Sequence, residues 1–525
     1  MPANHTFIRH TFGGGWAPDF GPNAQVRPTG DGQVEIPWLV DADNLVYELD
    51  GGLRKVPGTS AFNSSALESG ASIMGITDYW RHGTAGAPAH RIVVQVATKL
   101  YSSTGDGTFT EIASGLTDGA IPNFGFFDDF MIYSNDSGVD VPRSWDQTTF
   151  QNLAGSPPTF SFSLKHKNWY WAAGVNANPS LLYYSSTLDP ETWSGGTSGS
   201  ISINPNDGDR ITGIASWKND LFVFKGPYKG SIHRITGSSN TGTDAWARSE
   251  FITGVGAVWQ NSIFTFGDDV GFLWSDGTIR SLKATAAYGD YVTTSLSFPI
   301  NRKLKDILNF AQLRRAWAVT DDTLSSVLIT VPANGSSTPN VILMMDFRFN
   351  PVRWSYINAF TPISLARVID TADNNRPIIL LGSNNGVVYK MGRTTRSAAG
   401  SGISMRATTP YLDYNKPLVM KTLGGGAIGM QPWNSGNITF GWARDNNTQQ
   451  TQTVQQGGAA VLDTFLLGTD TLGGGRYLDR FFRGAETGGE FRAIQYQVSN
   501  NAAGEDVEIH SISAQLAMGA ESFEN

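Results

Sequence analysis

WKNDLFVFKGPYKGSIHRITG, residues 217–237, sets out in miniature the phrase from which much of this chain is built. An apolar strand follows a tight turn of polar residues, a second turn rich in glycine follows it, and another strand ends in a polar break. Residues flanking each turn alternate as an antiparallel hairpin requires, and the turns carry Asp, Asn and Gly, which tolerate positive φ. The phrase recurs as RIVVQVATKLYSSTGDGTFTEI (91–112), FFDDFMIYSND (126–136), HKNWYWAAGV (166–175), SIFTFGDDVGFLWSDGTIRSL (262–282) and RPIILLGSNNGVVYKMG (376–392). Half-buried hairpins of this kind bury their apolar faces by stacking on copies of themselves.

Seven hairpin-bearing segments are counted, at 72–117, 120–156, 159–206, 209–255, 258–300, 312–359 and 362–393. Their spacing of roughly 45 residues is that of a four-stranded propeller blade. The expected fold class is therefore all-β: a β-propeller of about seven blades, with six or eight also compatible, followed by a C-terminal β-sandwich. Within 34–393, the hairpin at 34–59 is a candidate for closing the ring. NRKLKDILNFAQL (301–313) is the one helical-looking interruption, with Leu304, Ile307, Leu308 and Ala311 on one face. Residues 1–33, rich in Gly, Pro and Asn, read as an extended arm that orders against a neighbour. Residues 394–402 read as a linker, 403–518 as the sandwich and 519–525 as a frayed tail.

The chain has 525 residues, no cysteine and 59 glycines, more glycine than the roughly 7% of an average protein. Its 40% hydrophobic content supports a packed core, and the lack of cysteine leaves packing as the source of stability. Forty-six acidic against 38 basic residues give a net charge of −8 with no basic run, which argues against a phosphate-gripping surface. MPANHTFIRHTFGGGW has no signal-peptide pattern, and no apolar stretch is long enough for a membrane helix, so a soluble chain without a secretion signal is expected.

Chemical motifs are weak. GGGAIG (424–429) fits the glycine pattern of a dinucleotide loop, but Pro432 and Gly436 break any following helix, so a flexible sandwich loop is expected. NPNDGDR (204–210) lacks the spacing of a calcium loop and reads as an inter-blade turn in which Asp207 and Asp209 bond neighbouring N–H groups. The histidines, at 5, 10, 82, 90, 166, 233 and 510, show no metal spacing. Carboxylates such as Asp128, Asp129, Asp220, Asp268 and Asp269 sit at turns, and tryptophans such as Trp145, Trp171, Trp217 and Trp274 are expected between blades. No catalytic residue, metal ligand or cofactor is assigned.

Two stretches carry a family resemblance: GGGWAPDFGPN leading into EIPWLVDADNLVYELDGGLRKVPGTSAFNSSAL (35–67), and WSGGTSGSISINPNDGDRITGIASWKNDLFVFKGPYKGSIHRITG (193–237). Both resemble structural proteins of bacteriophage tails of the nozzle, packaged-DNA-stabilising type. The resemblance implies a virion-tail protein assembled in the host cytoplasm. It would form a homo-oligomeric ring, six copies being expected, that meets portal, adaptor and other tail proteins. Genomic DNA would pass the ring without sequence-specific binding. Candidate interface or channel residues are Trp16 and Asp19 in the arm, Asp207, Asp209, Lys225 and Lys229 in the central blade, and Arg393 and Arg396 in the linker. The alternatives are a receptor- or polysaccharide-binding tail component, with or without glycosidase activity, and a plain propeller scaffold.

Overall fold

A computed structural model describes residues 5–21, 23–24, 27–28, 34–83, 89–288, 295–392, 394–431, 437–455, 478–483 and 489–519. The chain divides into two units, one formed by Ala61–Ile342 with Thr361–Met391 and one by Met1–Ser60, Leu343–Phe360 and Gly392–Asn525.

The first unit is the propeller. Its first four blades are four-stranded antiparallel sheets that open with Ile73–Arg81, Pro122–Phe127, Phe162–His166 and Arg210–Trp217. The fifth has three strands, Ile263–Phe266, Asp269–Leu273 and Ile279–Ser281, and the helix Leu282–Tyr288 follows directly. Trp317–Asp321 and Ser326–Val331 pair in the sixth blade, and Ser364–Asp370, Arg376–Gly382 and Val388–Met391 in the seventh. Turns between first and second strands use left-handed residues, with φ of 47° at Asp128, 55° at Lys167, 55° at Lys218 and 47° at Ser325.

Burial differs from the half-buried hairpins expected. Most blade strands are covered on both faces, and successive residues serve opposite layers. Val94 packs with Ile73, Val368 and Leu380, while Val93 packs with Tyr79, Tyr133 and Trp145. Ile132 joins Phe160 and Tyr170, whereas Trp171 joins Leu182, Ile214 and Val223, and Phe222 joins Phe224, Phe272 and Trp274. The period of two along each strand thus fills two consecutive inter-blade gaps. This accounts for the continuous apolar runs in the sequence.

The ring is closed by hydrogen bonds between its sequence extremes. Ile73 N–H donates to Ser383 O at 2.8 Å and Ser364 Oγ to Ile73 O at 2.9 Å. Phe62 N–H donates to Val388 O at 2.8 Å, so the seventh blade is completed by chain that precedes the first.

The second unit contains the sandwich, and here several expectations are corrected. Within 1–33, expected as an arm ordering against a neighbour, His5–Phe12 instead pairs within its own chain, antiparallel with Glu508–Met518 and parallel with Val34–Ile36. Lys421–Gln431 lies on the other side of Glu508–Met518, which turns the expected GGGAIG loop into strand. The facing sheet contains Ile494–Asn500 between Met405–Thr408 and Asn437–Arg444. The His10 ring lies 5.5 Å from Tyr414 and 5.7 Å from Tyr496, filling the space between the layers.

The hairpin within 34–59, Leu45–Tyr47 with Leu53–Lys55, pairs onto Glu508 and Ile509 and does not close the propeller. The sandwich therefore begins at the start of the described chain, not at 403. The 394–402 linker holds a small hairpin, Ser397–Ala398 with Ser401–Gly402. Residues 343–360, expected in the sixth blade, belong to this unit. The expected helix is Asn301–Ile307 followed by the 3-10 turn Phe310–Arg315, with Leu304, Ile307 and Leu308 buried and Ala311 exposed. Among the described residues, no helix is long and apolar enough to cross a membrane. Of the expected tail, residues 520–525 lie outside the described residues.

Candidate functional site

Three places in the propeller carry polar chemistry: its axis, a joint between the third and fourth blades, and a pocket beside Trp259. The axis is lined by first strands. Asn261, between the fourth and fifth blades, reaches across to donate to Pro122 O of the second at 3.1 Å, and Gln260 bonds both N–H and C=O of Ile214. Adjoining cavities of about 360 and 540 Å³ share Gln260, Ile263, Ala318, Val319 and Arg367. The Asn261 bond thus ties non-adjacent blades across the axis, beside two cavities that open to the surface.

The structure brings together four of the residues marked from sequence. Lys225, on Asp220–Gly226, is fully buried, and its ammonium donates to Ser180 Oγ, Ile203 O, Asn204 O and Asp207 Oδ2 at 3.2, 2.8, 2.7 and 2.7 Å. Burial opposes the charge on Asp207, yet the Lys225 ammonium and the Asp209 N–H hold its carboxyl below the usual range. Asp209, itself buried, accepts from the N–H groups of Tyr228, Lys229 and Gly230 at 2.8, 2.9 and 2.8 Å. The reading of Asp207 and Asp209 as turn-bonding carboxylates therefore holds. Lys225, expected as an interface or channel residue, is instead enclosed because three backbone or hydroxyl oxygens and a carboxylate surround it. Lys229 alone of the four presents an exposed side chain.

The other marked residues lie apart from these. Trp16 is buried, its Nε1 donating to Val40 O at 3.0 Å and its N–H to Tyr47 Oη at 3.0 Å, so it is core of the sandwich unit and not a contact surface. Asp19 is partly buried in the 3-10 turn Pro18–Phe20. Arg396 is also buried, 2.8 Å from Asp506 Oδ1, which fixes its charge inside the unit. Arg393 lies outside the described residues. Trp145, Trp171 and Trp274 are buried between blades as expected, whereas His10, His90, His166, His233 and His510 are buried too. No group of metal-binding side chains occurs among the described residues.

Sequence reading missed the pocket. Arg210 and Arg314 each place a guanidinium 5.5 Å from the ring centre of Trp259. Arg210 Nη2 donates to Gly174 O and Asn176 Oδ1 at 3.2 and 3.0 Å, and Arg314 pairs with Asp136. Arg210 Nε and Ser275 Oγ are shielded from water and have no hydrogen-bond partner. The cavity between them is about 320 Å³, floored by Thr212, Val258 and Leu313 and rimmed by Tyr228 and Phe310, which are 80% and 44% exposed. Burial and the neighbouring Arg314 charge lower the pKa of Arg210. Its two arginines are a hundred residues apart in sequence, so no local motif marks it.

No family model and no curated protein matches the chain. Among solved structures, it resembles YCF48 bound to D1 peptide at 9% identity and a TM-score of 0.37, covering 62% of this chain and 94% of that one. The computationally designed Ika8 protein matches at 14% identity and 0.33, covering 62% and 98%. A third match, S. cerevisiae dbp5 bound to nup159, gle1, ip6 and adp, has 12% identity and a TM-score of 0.34, covering 70% and 99%. The assignment of the fold rests on the blade pairing described above: the chain is an all-β protein with a propeller.

Proposed function

We propose that the chain is a structural subunit of a bacteriophage tail, forming a ring of copies at the head-to-tail or nozzle position and enclosing the path of DNA exit. The observation that carries this reading is where the resembling stretches fall. Residues 35–67 supply sandwich strands and then Phe62 and Asn63, which bond the seventh blade. Within its PGT turn, a Cβ on Gly58 would meet Ser397 O at 2.4 Å and Ser397 N at 2.5 Å, so the turn needs glycine. Residues 193–237 supply the Lys225, Asp207 and Asp209 joint. Both stretches thus contribute internally satisfied joints, at Gly58 and at Lys225, Asp207 and Asp209, which suits a load-carrying part.

In this reading the DNA path is the lumen of the ring, not the cross-linked propeller axis. The net charge of −8 favours passage without adhesion. Electron microscopy of the purified protein mixed with portal–adaptor complexes tests it. A closed collar on the portal axis supports the reading, six-fold symmetry fits the expected copy number, and peripheral spikes or absence of binding overturns it.

A further inference from the structure

The pocket beside Trp259 has no task in the scaffold just described, and its chemistry is selective. We propose that it binds a carboxylate-bearing sugar ring, such as a hexuronate unit of an acidic polysaccharide. A cavity of about 320 Å³ is the size of a small-ligand site. Arg210 and Ser275 line it, and their Nε and Oγ lack hydrogen-bond partners, so a side-chain rotation offers one charged donor and one hydroxyl to a carboxylate and a neighbouring oxygen. Arg314, also beside Trp259, is paired with Asp136, so the two arginines face one carboxylate and the pocket keeps one net positive charge in a chain whose overall charge is −8.

The rim supplies the second half of the recognition. Tyr228 and Phe310 line the rim with exposed aromatic rings, the residue type that packs on the apolar C–H face of a pyranose ring. An acidic peptide fits less well, because the walls come from five separate segments with little free backbone. Tyr228 N–H bonds Asp209, Val258 N–H bonds Leu273 O, and Arg210 and Thr212 lie in the paired strand Arg210–Trp217. An extended strand would find little main chain to pair with. Recognition here runs through side chains, and this site stands whether or not the ring reading does.

Titration calorimetry of the full chain with D-glucuronate, D-glucose, inorganic phosphate and a triglutamate peptide tests the proposal. The expected result is saturable millimolar binding of D-glucuronate, with D-glucose at least about tenfold weaker for lack of the charged hydrogen bond. Arg210→Gln weakens D-glucuronate by about tenfold or more. Tyr228→Ala, at an exposed position, weakens it severalfold with an unchanged melting temperature, which separates lost binding from lost folding. Absent saturation, equal affinity for D-glucose, phosphate binding as tight as D-glucuronate, or preference for the peptide each overturns the proposal.

Discussion

Lys225 and Asp207 form an ion pair in which the ammonium is fully buried while the carboxylate keeps partial contact with water, at 27% side-chain exposure. The Lys225 charge is balanced by this one carboxylate and by three neutral oxygens, so it ties the second strand of the fourth blade to the turn leaving the third. Lys225→Met removes all four hydrogen bonds and strands Asp207 beside an apolar side chain. The expected cost is about 2–4 kcal/mol, below a fully buried pair because Asp207 can rehydrate. Urea unfolding should show a lower midpoint with an unchanged slope, and adding Asp207→Asn should restore part of the loss.

Buried histidines make stability depend on pH. Burial pushes the pKa of His10 down to about 4 in the sandwich unit, and burial with the Lys167 charge does the same to His166 in the propeller. Each has a folded value below its unfolded 6.5, so the unfolded state binds the extra proton first. Their contribution is present above pH 6.5 and is lost as pH falls towards 4, by up to about 3 kcal/mol for each. His510 works in the other direction. Burial opposes its protonation, but the Glu508 and Asp50 carboxylates raise its value, so its contribution is present below 6.5 and fades as pH rises through the folded value. Denaturant midpoints should fall between pH 6.5 and 5, and His166→Gln should flatten the propeller's share of that slope.

Gly58 is required by proximity rather than by backbone angle. A methyl group there would lie within 2.5 Å of the Ser397 backbone, which cannot rotate away as a side chain would. Gly58→Ala should therefore cost about 1–3 kcal/mol through displaced strands, whereas Gly21→Ala, at an open position with φ of 95°, should show only the cost of its backbone conformation. Thermal melting of the two variants side by side measures the difference.

The propeller was legible because its signal is local. Each blade is written within about 45 contiguous residues, and turn residues such as Asp128 and Lys218 mark the hairpins where the strands reverse. What escaped was non-local. His5–Phe12 reads in sequence as part of an arm ordering against a neighbour because its partner, Glu508–Met518, is about five hundred residues away, and nothing within the eight residues HTFIRHTF announces such pairing. The GGGAIG stretch misled for the opposite reason: glycines that suggest a loop here form strand paired with residues 511–515. Lys225 and Arg396 were marked as surface charges because burial of a lysine or arginine follows from its partners, Asp207 and Asp506, and not from its own neighbours in sequence. The Trp259 pocket was invisible because Arg210 and Arg314 meet only when the fourth blade and the approach to the sixth are folded.

Asn63 adds side-chain hydrogen bonds to the ring closure, and this gives the last test. Its buried amide donates to Ser65 O at 2.7 Å and Gly386 O at 3.2 Å and accepts from Val388 N–H at 2.7 Å. Asn63→Ala leaves Val388 N–H without a partner and removes the amide donor to Ser65 O and Gly386 O, the latter still accepting from Leu67 N–H, at an expected cost of about 1–3 kcal/mol. Because the seventh blade also bonds the first through Ile73, the loss should spread along the ring from that seam. Amide exchange should quicken first at 62–63, 386–391 and 73, with the third and fourth blades protected as before; uniform acceleration across all blades would instead mean that the propeller opens as one cooperative unit and that Asn63 is no seam.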